Sequence, residues 1–132
     1  MKKWSWLACL SALLVTVAIP AAAHHSYAMF DGKKEVSLAG TIREFRWTNP
    51  HSWIEIDVPN DKGVAETWSV ECGSPNDMAR HGWKSTTLKP GDRVTIVINP
   101  LRNGEKGGRF QSVTLGDGQV LAERGPREPS KP

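Results

Sequence analysis

The sequence predicts a mainly β domain, and three observations carry that reading. Apolar residues alternate with polar ones in successive short runs, the pattern of strands buried on one face. Turn clusters separate the runs, chiefly Pro59-Asn60-Asp61-Lys62-Gly63 and Lys89-Pro90-Gly91-Asp92. A single helix-start signal, Ser74-Pro75-Asn76-Asp77, falls between the third and fourth strong runs. Three strands, one short helix and two further strands is the order of an OB-fold, a small Greek-key barrel. The expected fold is therefore an OB-fold-like barrel of five or six strands, with its helix between strands 3 and 4. A β-sandwich fits less well, because the strands are few and the helix is placed among them.

Each element has its own justification. Val36, Leu38, Gly40 and Ile42 alternate, and the apolar phase then moves to Phe45 and Trp47. A phase change beside a glycine predicts one long strand bent by a bulge, as a small barrel needs where one strand serves both sheets. Thr48-Asn49-Pro50 ends it. Ile54, Ile56 and Val58 predict a half-buried second strand, and Trp68, Val70 and Cys72 share one face of the third. The helix should run through Met78 to His81 and stop at Gly82. Val94, Ile96 and Ile98 form the clearest strand, and Asn99 to Gly108 reads as a long hairpin loop. Phe110 to Leu115 is the fifth strand, and Gln119 to Ala122 a short sixth after the turn Gly116-Asp117-Gly118.

The first 23 residues have the three parts of an export signal: Lys2 and Lys3, an apolar run from Leu7 to Ile19, and Ala21-x-Ala23 before the cut. That run is too short to span a bilayer as an ordinary helix. Cutting one or two residues earlier would put Pro20 or Ile19 three residues before the cut, both poor choices. Cys9 sits too early in the apolar run to mark a lipoprotein. The expected organisation is a signal over 1–23, an N-terminal segment over 24–35, the barrel over 36–122 and a charged, Pro-rich, disordered tail over 123–132. Its expected address is periplasmic, with no membrane anchor after cleavage.

Processing changes the charge argument. Loss of Lys2 and Lys3 with no acid lowers the formal net charge from +3 to +1. No long basic block remains, so nucleic acid is not an expected partner. Cys9 leaves with the signal, and Cys72, left alone, has no intramolecular disulfide partner; its alternating position makes it a core thiol.

Cleavage after Ala23 would make His24 the first residue, putting an α-amino group and two imidazoles within two positions. A terminal histidine binds metal through its amine and its ring, and imidazole nitrogen suits copper, zinc and nickel. The amine, with a pKa of roughly 8, loses its proton readily to a metal near neutral pH. If the chain is extended there, His24 and His25 point to opposite sides. The expected metal ligands are therefore His24 and His51, the latter from the loop after the first strand, with His25 auxiliary. Copper is the expected cofactor, since copper(II) accepts a T-shaped set of three nitrogens. The plain alternative is a solvated His24-His25 terminus and a His51 that only caps a turn.

Other groups offer less. Met78 and His81 have helix spacing that would suit copper(I), though a core methionine and a surface histidine explain them as well. Met29 and Cys72 are soft donors without supporting spacing. Trp47, Asn49 and Trp53 surround the His51 turn and form a candidate ligand-binding set, as OB-folds use this loop and the one between strands 4 and 5. Packing of both indoles against the barrel is the competing explanation. Glu55 and Asp57 fall on the wet face of an alternating strand and make no catalytic pair. Enzyme motifs such as G-x-S-x-G, H-E-x-x-H, a phosphate loop or C-x-x-C do not occur.

The pieces His24-His25-Ser26-Tyr27-Ala28-Met29-Phe30-Asp31, Phe45-Arg46-Trp47-Thr48-Asn49-Pro50-His51-Ser52-Trp53 and Lys89-Pro90-Gly91-Asp92 carry a resemblance. The chain resembles small exported bacterial proteins classed as domain of unknown function 6152. That resemblance implies a signal peptide, a compact β-domain and a periplasmic address, and no activity, substrate or cofactor. The functional expectations thus rest on the residues: a copper-binding or copper-carrying domain first, a metal-free module for a small ligand or periplasmic protein second, and an oxidative copper enzyme last.

Overall fold

A computed structural model describes residues 27–123. The expected signal, His24, His25 and the tail from Arg124 lie outside the described residues. After a single 3-10 turn at Tyr27–Met29 come β1 (Val36–Arg46), β2 (Trp53–Pro59), β3 (Ala65–Glu71), α1 (Pro75–Ala79), β4 (Arg93–Pro100), β5 (Gly107–Thr114) and β6 (Val120–Ala122). The sheet order is β3-β2-β1-β4-β5-β6, and an additional β3–β5 pairing closes five strands into a barrel. The predicted small OB-fold-like barrel, with its helix between strands 3 and 4, is the fold observed.

β1 is the bent strand that the phase change predicts. Val36 to Thr41 pair with β4, and Thr41 to Arg46 pair with β2. Arg43 is the extra residue where Ile42 faces Ile56 and Glu44 faces Glu55. Gly40 stands at the change of partner, where a Cβ would run into the Asp57 carbonyl oxygen. The bend brings the two halves of the barrel together and leaves no room for a side chain.

The interior is apolar. Ile54, Ile56, Val70, Ile96, Ile98 and Val113 come from four strands and are fully buried. Each is worth about 1.5–3 kcal/mol of apolar burial. The helix plugs one opening: Ser74 Oγ accepts from Asp77 N at 3.2 Å, Pro75 takes the first turn, and Met78 is wholly buried. It ends at Ala79, sooner than expected, with His81 in the following turn. Trp83 fills the space beyond it, edge-on to Phe110 at 5.5 Å and tilted against Phe45 at 6.0 Å. Its indole N–H donates to Ala122 O at 2.9 Å, which ties the β6 end to the helix side.

The long hairpin loop expected over Asn99 to Gly108 is shorter. Asn99 and Pro100 belong to β4, and Gly107 and Gly108 open β5. The glycines serve a close approach: a Cβ on Gly107 would lie 2.9 Å from Ser69 O. One on Gly108 would lie 2.7 Å from Ile98 Cδ1. Bare backbone at Gly107 lets β5 lie parallel against Ser69, Val70 and Glu71 of β3, and at Gly108 it lets β5 lie close on Ile98 and Asn99 of β4. The first half of β5 pairs with β3, and its second half pairs with β6. β6 thus continues the wall where β3 stops.

Candidate functional site

The loop from Trp47 to Ser52 is fastened to the end of β3 by backbone bonds. Ser52 N donates to Gly73 O at 2.8 Å, and Cys72 N donates to Ser52 O at 2.9 Å. Thr48 Oγ1 donates to His51 O at 3.0 Å, closing the turn around a cis Asn49–Pro50 peptide. These bonds set His51 beside Glu71, the last residue of β3, and the imidazole Nδ1 meets the Glu71 carboxylate. Both side chains are largely covered, with 25% and 17% exposure. Nδ1 donates to Glu71 in either charge state, so in the neutral ring Nε2 carries the lone pair.

Glu71 has a second neighbour across the seam. Its register partner on β5 is Arg109, and paired residues on parallel strands share a face. Arg109 Nη1 donates to Cys72 O at 2.7 Å, and Nη2 donates to both oxygens of Glu123 at 2.8 Å. Their side chains are only 12% and 13% exposed, so this ion pair is partly desolvated and its geometry matters. The guanidinium carbon lies 5.6 Å from the centre of the Tyr27 ring, a cation–π contact. One rim of the barrel therefore gathers His51, Glu71, Arg109, Glu123 and Tyr27 from five separate parts of the chain.

Cys72 sits beneath this rim, fully buried. Burial pushes its thiol well above the ordinary range, the Glu123 and Glu71 carboxylates push the same way, and Arg109 opposes them. It stays a protonated core thiol at neutral pH rather than a thiolate ligand. Ser52 is equally buried, and its hydroxyl finds no hydrogen-bond partner among the described residues.

The other sequence-predicted residues divide cleanly. Trp47 packs on the core and edge-on to Phe45 at 5.7 Å, which is the locking role. Trp53 is half-buried on the outer face, paired with Arg46 on one side and Glu71 on the other. Asn49 is exposed. Met78 is core, whereas His81 is exposed and donates through Nδ1 to Asp77 O at 2.9 Å, so the two do not form a shared site. Met29 is half-exposed and Tyr27 more so. Glu55 and Asp57 face outward into cross-strand contacts with Arg46, Ser69, Thr67 and Arg43. A groove of about 520 Å³ between Gly40, Pro59, Arg93 and Leu115 holds none of the candidate ligands.

Among the described residues no group of three or more His, Cys, Asp or Glu could hold a metal ion. His51 is the expected ligand that the described residues include; His24 and His25 lie outside them. Sequence reasoning missed Glu71, Arg109 and Glu123. Glu71 showed only as the outward residue of an alternating strand, and its link to His51 depends on the register in which β2 pairs with β3.

Among curated proteins and solved structures, the comparison found no match to this chain. Residues 11–111, which include His51, Glu71 and Arg109, match the family of unknown function DUF6152, and the chain belongs to that family.

Proposed function

We propose that this protein binds or carries copper in the periplasm, at the rim where β3 meets β5. The ligands are the α-amino group and imidazole of His24, freed by cleavage after Ala23, together with His51; His25 is auxiliary. The observation that carries the reading is the Glu71 carboxylate held against His51 Nδ1. A carboxylate on one ring nitrogen is the usual support of a metal-binding imidazole, since it fixes the tautomer, orients the ring and makes the other nitrogen a better donor. Glu123 offsets the Arg109 charge nearby, which lowers the cost of bringing a cation to this rim.

The test is titration of the processed protein with copper(II), followed by electron paramagnetic resonance. Three-nitrogen coordination is expected, with weakened binding in His24→Ala, in His51→Ala and in a chain carrying one extra N-terminal residue. An unchanged spectrum and affinity in the His24→Ala/His51→Ala double variant would overturn the site.

A second reading rests on Trp53, a half-buried indole on the outer face beside Glu71 and Arg46. It makes the same rim a metal-free docking face for a small ligand or a periplasmic protein. Binding that survives a chelator and loss of His24, and fails in Trp53→Ala, would favour it.

A further inference from the structure

We infer that the groove over the bend of β1 binds a small organic monocarboxylate, with Arg93 taking the carboxylate and the groove floor the apolar body. The hollow has a cause in the strand pairing. Thr41 is the register partner of both Asp57 on β2 and Arg93 on β4, and the β1–β2 ladder ends there. β2 runs on through Val58 and Pro59, which pair with β3 but not with β1. β2 therefore peels away beside Ala39 and Gly40, which keep only β4 as a strand partner. The groove of about 520 Å³ lies over this gap, with Pro59 towards one side and Thr114 and Leu115 towards the other. Small-molecule sites occupy about 300–1,000 Å³ and are mostly apolar with a few polar groups.

The lining has that character. Its surface is mainly apolar, and among the described residues that form it Arg93 alone is ionisable. Arg43, Arg46, Arg102 and Arg109 each pair with a carboxylate. The exposed Arg93 guanidinium has no ion pair or hydrogen bond among the described residues, nor do the hydroxyls of Thr41, Thr95 and Thr114 around it. Nearby acids do not neutralise it. Asp57 is taken by Arg43 and Thr67. Asp92 and Asp117 line an adjoining hollow beyond Arg93, where each accepts a backbone N–H of its own turn, from Lys89 and Gln119. Their charge repels an anion at that end, so the carboxylate sits on the β1 side of the guanidinium. The guanidinium fork matches a carboxylate, and one cation in an apolar setting balances one negative charge. Inorganic phosphate, with more charge and no apolar body, fits poorly.

The experiment titrates the isotope-labelled protein with hydrocinnamate, with its uncharged amide and with inorganic phosphate at matched ionic strength, following backbone amide signals by nuclear magnetic resonance. Hydrocinnamate should move the signals of Gly40, Thr95 and Gly116, and the amide and phosphate should bind at least several-fold more weakly. Arg93→Gln, at an exposed position, should keep the wild-type melting temperature and weaken hydrocinnamate binding roughly 5- to 20-fold. Ala39→Leu, which fills the floor, should weaken it as well. Binding should be unchanged in His51→Ala, because the groove holds no candidate copper ligand. Groove signals that stay still throughout the hydrocinnamate titration overturn the site. So does equal binding of acid and amide, equal binding of phosphate, or wild-type affinity in Arg93→Gln. Loss of binding in His51→Ala would move the contact to the rim and overturn the groove, whatever the outcome for copper.

Discussion

The barrel wall is joined in two different ways. Around most of its circumference the strands meet as long antiparallel ladders, β4 on β1 over six register pairs and β3 on β2 over seven, backed by alternating apolar side chains. At the seam only Ser69, Val70 and Glu71 meet β5, in parallel, over two glycines that bring no side chains to the contact. There one polar contact crosses the seam, Arg109 to Cys72 O, and beside it Arg109 holds Glu123 and Glu71 holds His51. The ladders illustrate how packing builds a barrel. The seam shows that its last closure, where packing is thin, is where charged side chains collect, and the candidate site lies on it.

The sharpest way to break the apolar side is Trp83→Ala. That indole touches Phe45 and Phe110 and holds Ala122, so its removal should cost about 3–5 kcal/mol in urea unfolding. Arg109→Met tests the seam. It takes a bidentate partner from a Glu123 carboxylate that is 13% exposed and should cost about 3 kcal/mol, with much of this recovered in Arg109→Met/Glu123→Met. An Arg109→Met protein of wild-type stability would mean that the ladders alone hold the barrel shut.

The Cys72 thiol sharpens the contrast through pH. Its folded pKa is raised by burial first and by Glu123 and Glu71 next, while in the unfolded chain it ionises at roughly 8.5. Below that value both states keep the proton, and stability is full. As pH rises beyond it, the unfolded chain loses its proton first, and stability should fall. Cys72→Ala, whatever its cost at neutral pH, should lack that part of the slope. The smallest effect belongs to Ser52→Ala: deleting a buried hydroxyl that lacks a partner should be neutral or stabilising by up to about 1 kcal/mol, read as a small rise in midpoint denaturant.

Much of this wall was legible in advance. Alternation placed the main strands, the phase change at Ile42 and Phe45 marked the shared strand, and the Ser74 cap located the helix. The misplaced parts have local causes. Gly107 and Gly108 read as loop because glycine signals both a turn and a close approach, and only the contacts with β3 and β4 tell which. Trp83 stands alone among His81, Gly82, Lys84 and Ser85, where no period marks it as core. The candidate rim was legible only in His51. Glu71 acquires its meaning from the β2–β3 register, and Arg109 and Glu123 from contacts between β5 and the segments after β3 and β6, relations between separate parts of the chain that no local pattern carries.

The seam also orders events along the growing chain. Residues 107–109 supply its β5 side and are made after β1, β2, β3, α1 and β4. Until they emerge, β3 and β4 each have an edge awaiting β5, and such edges invite pairing with other chains. A newly made chain therefore cannot complete this barrel until late in synthesis. Any truncation ahead of Gly107 should leave a sticky, unclosed sheet rather than a smaller barrel.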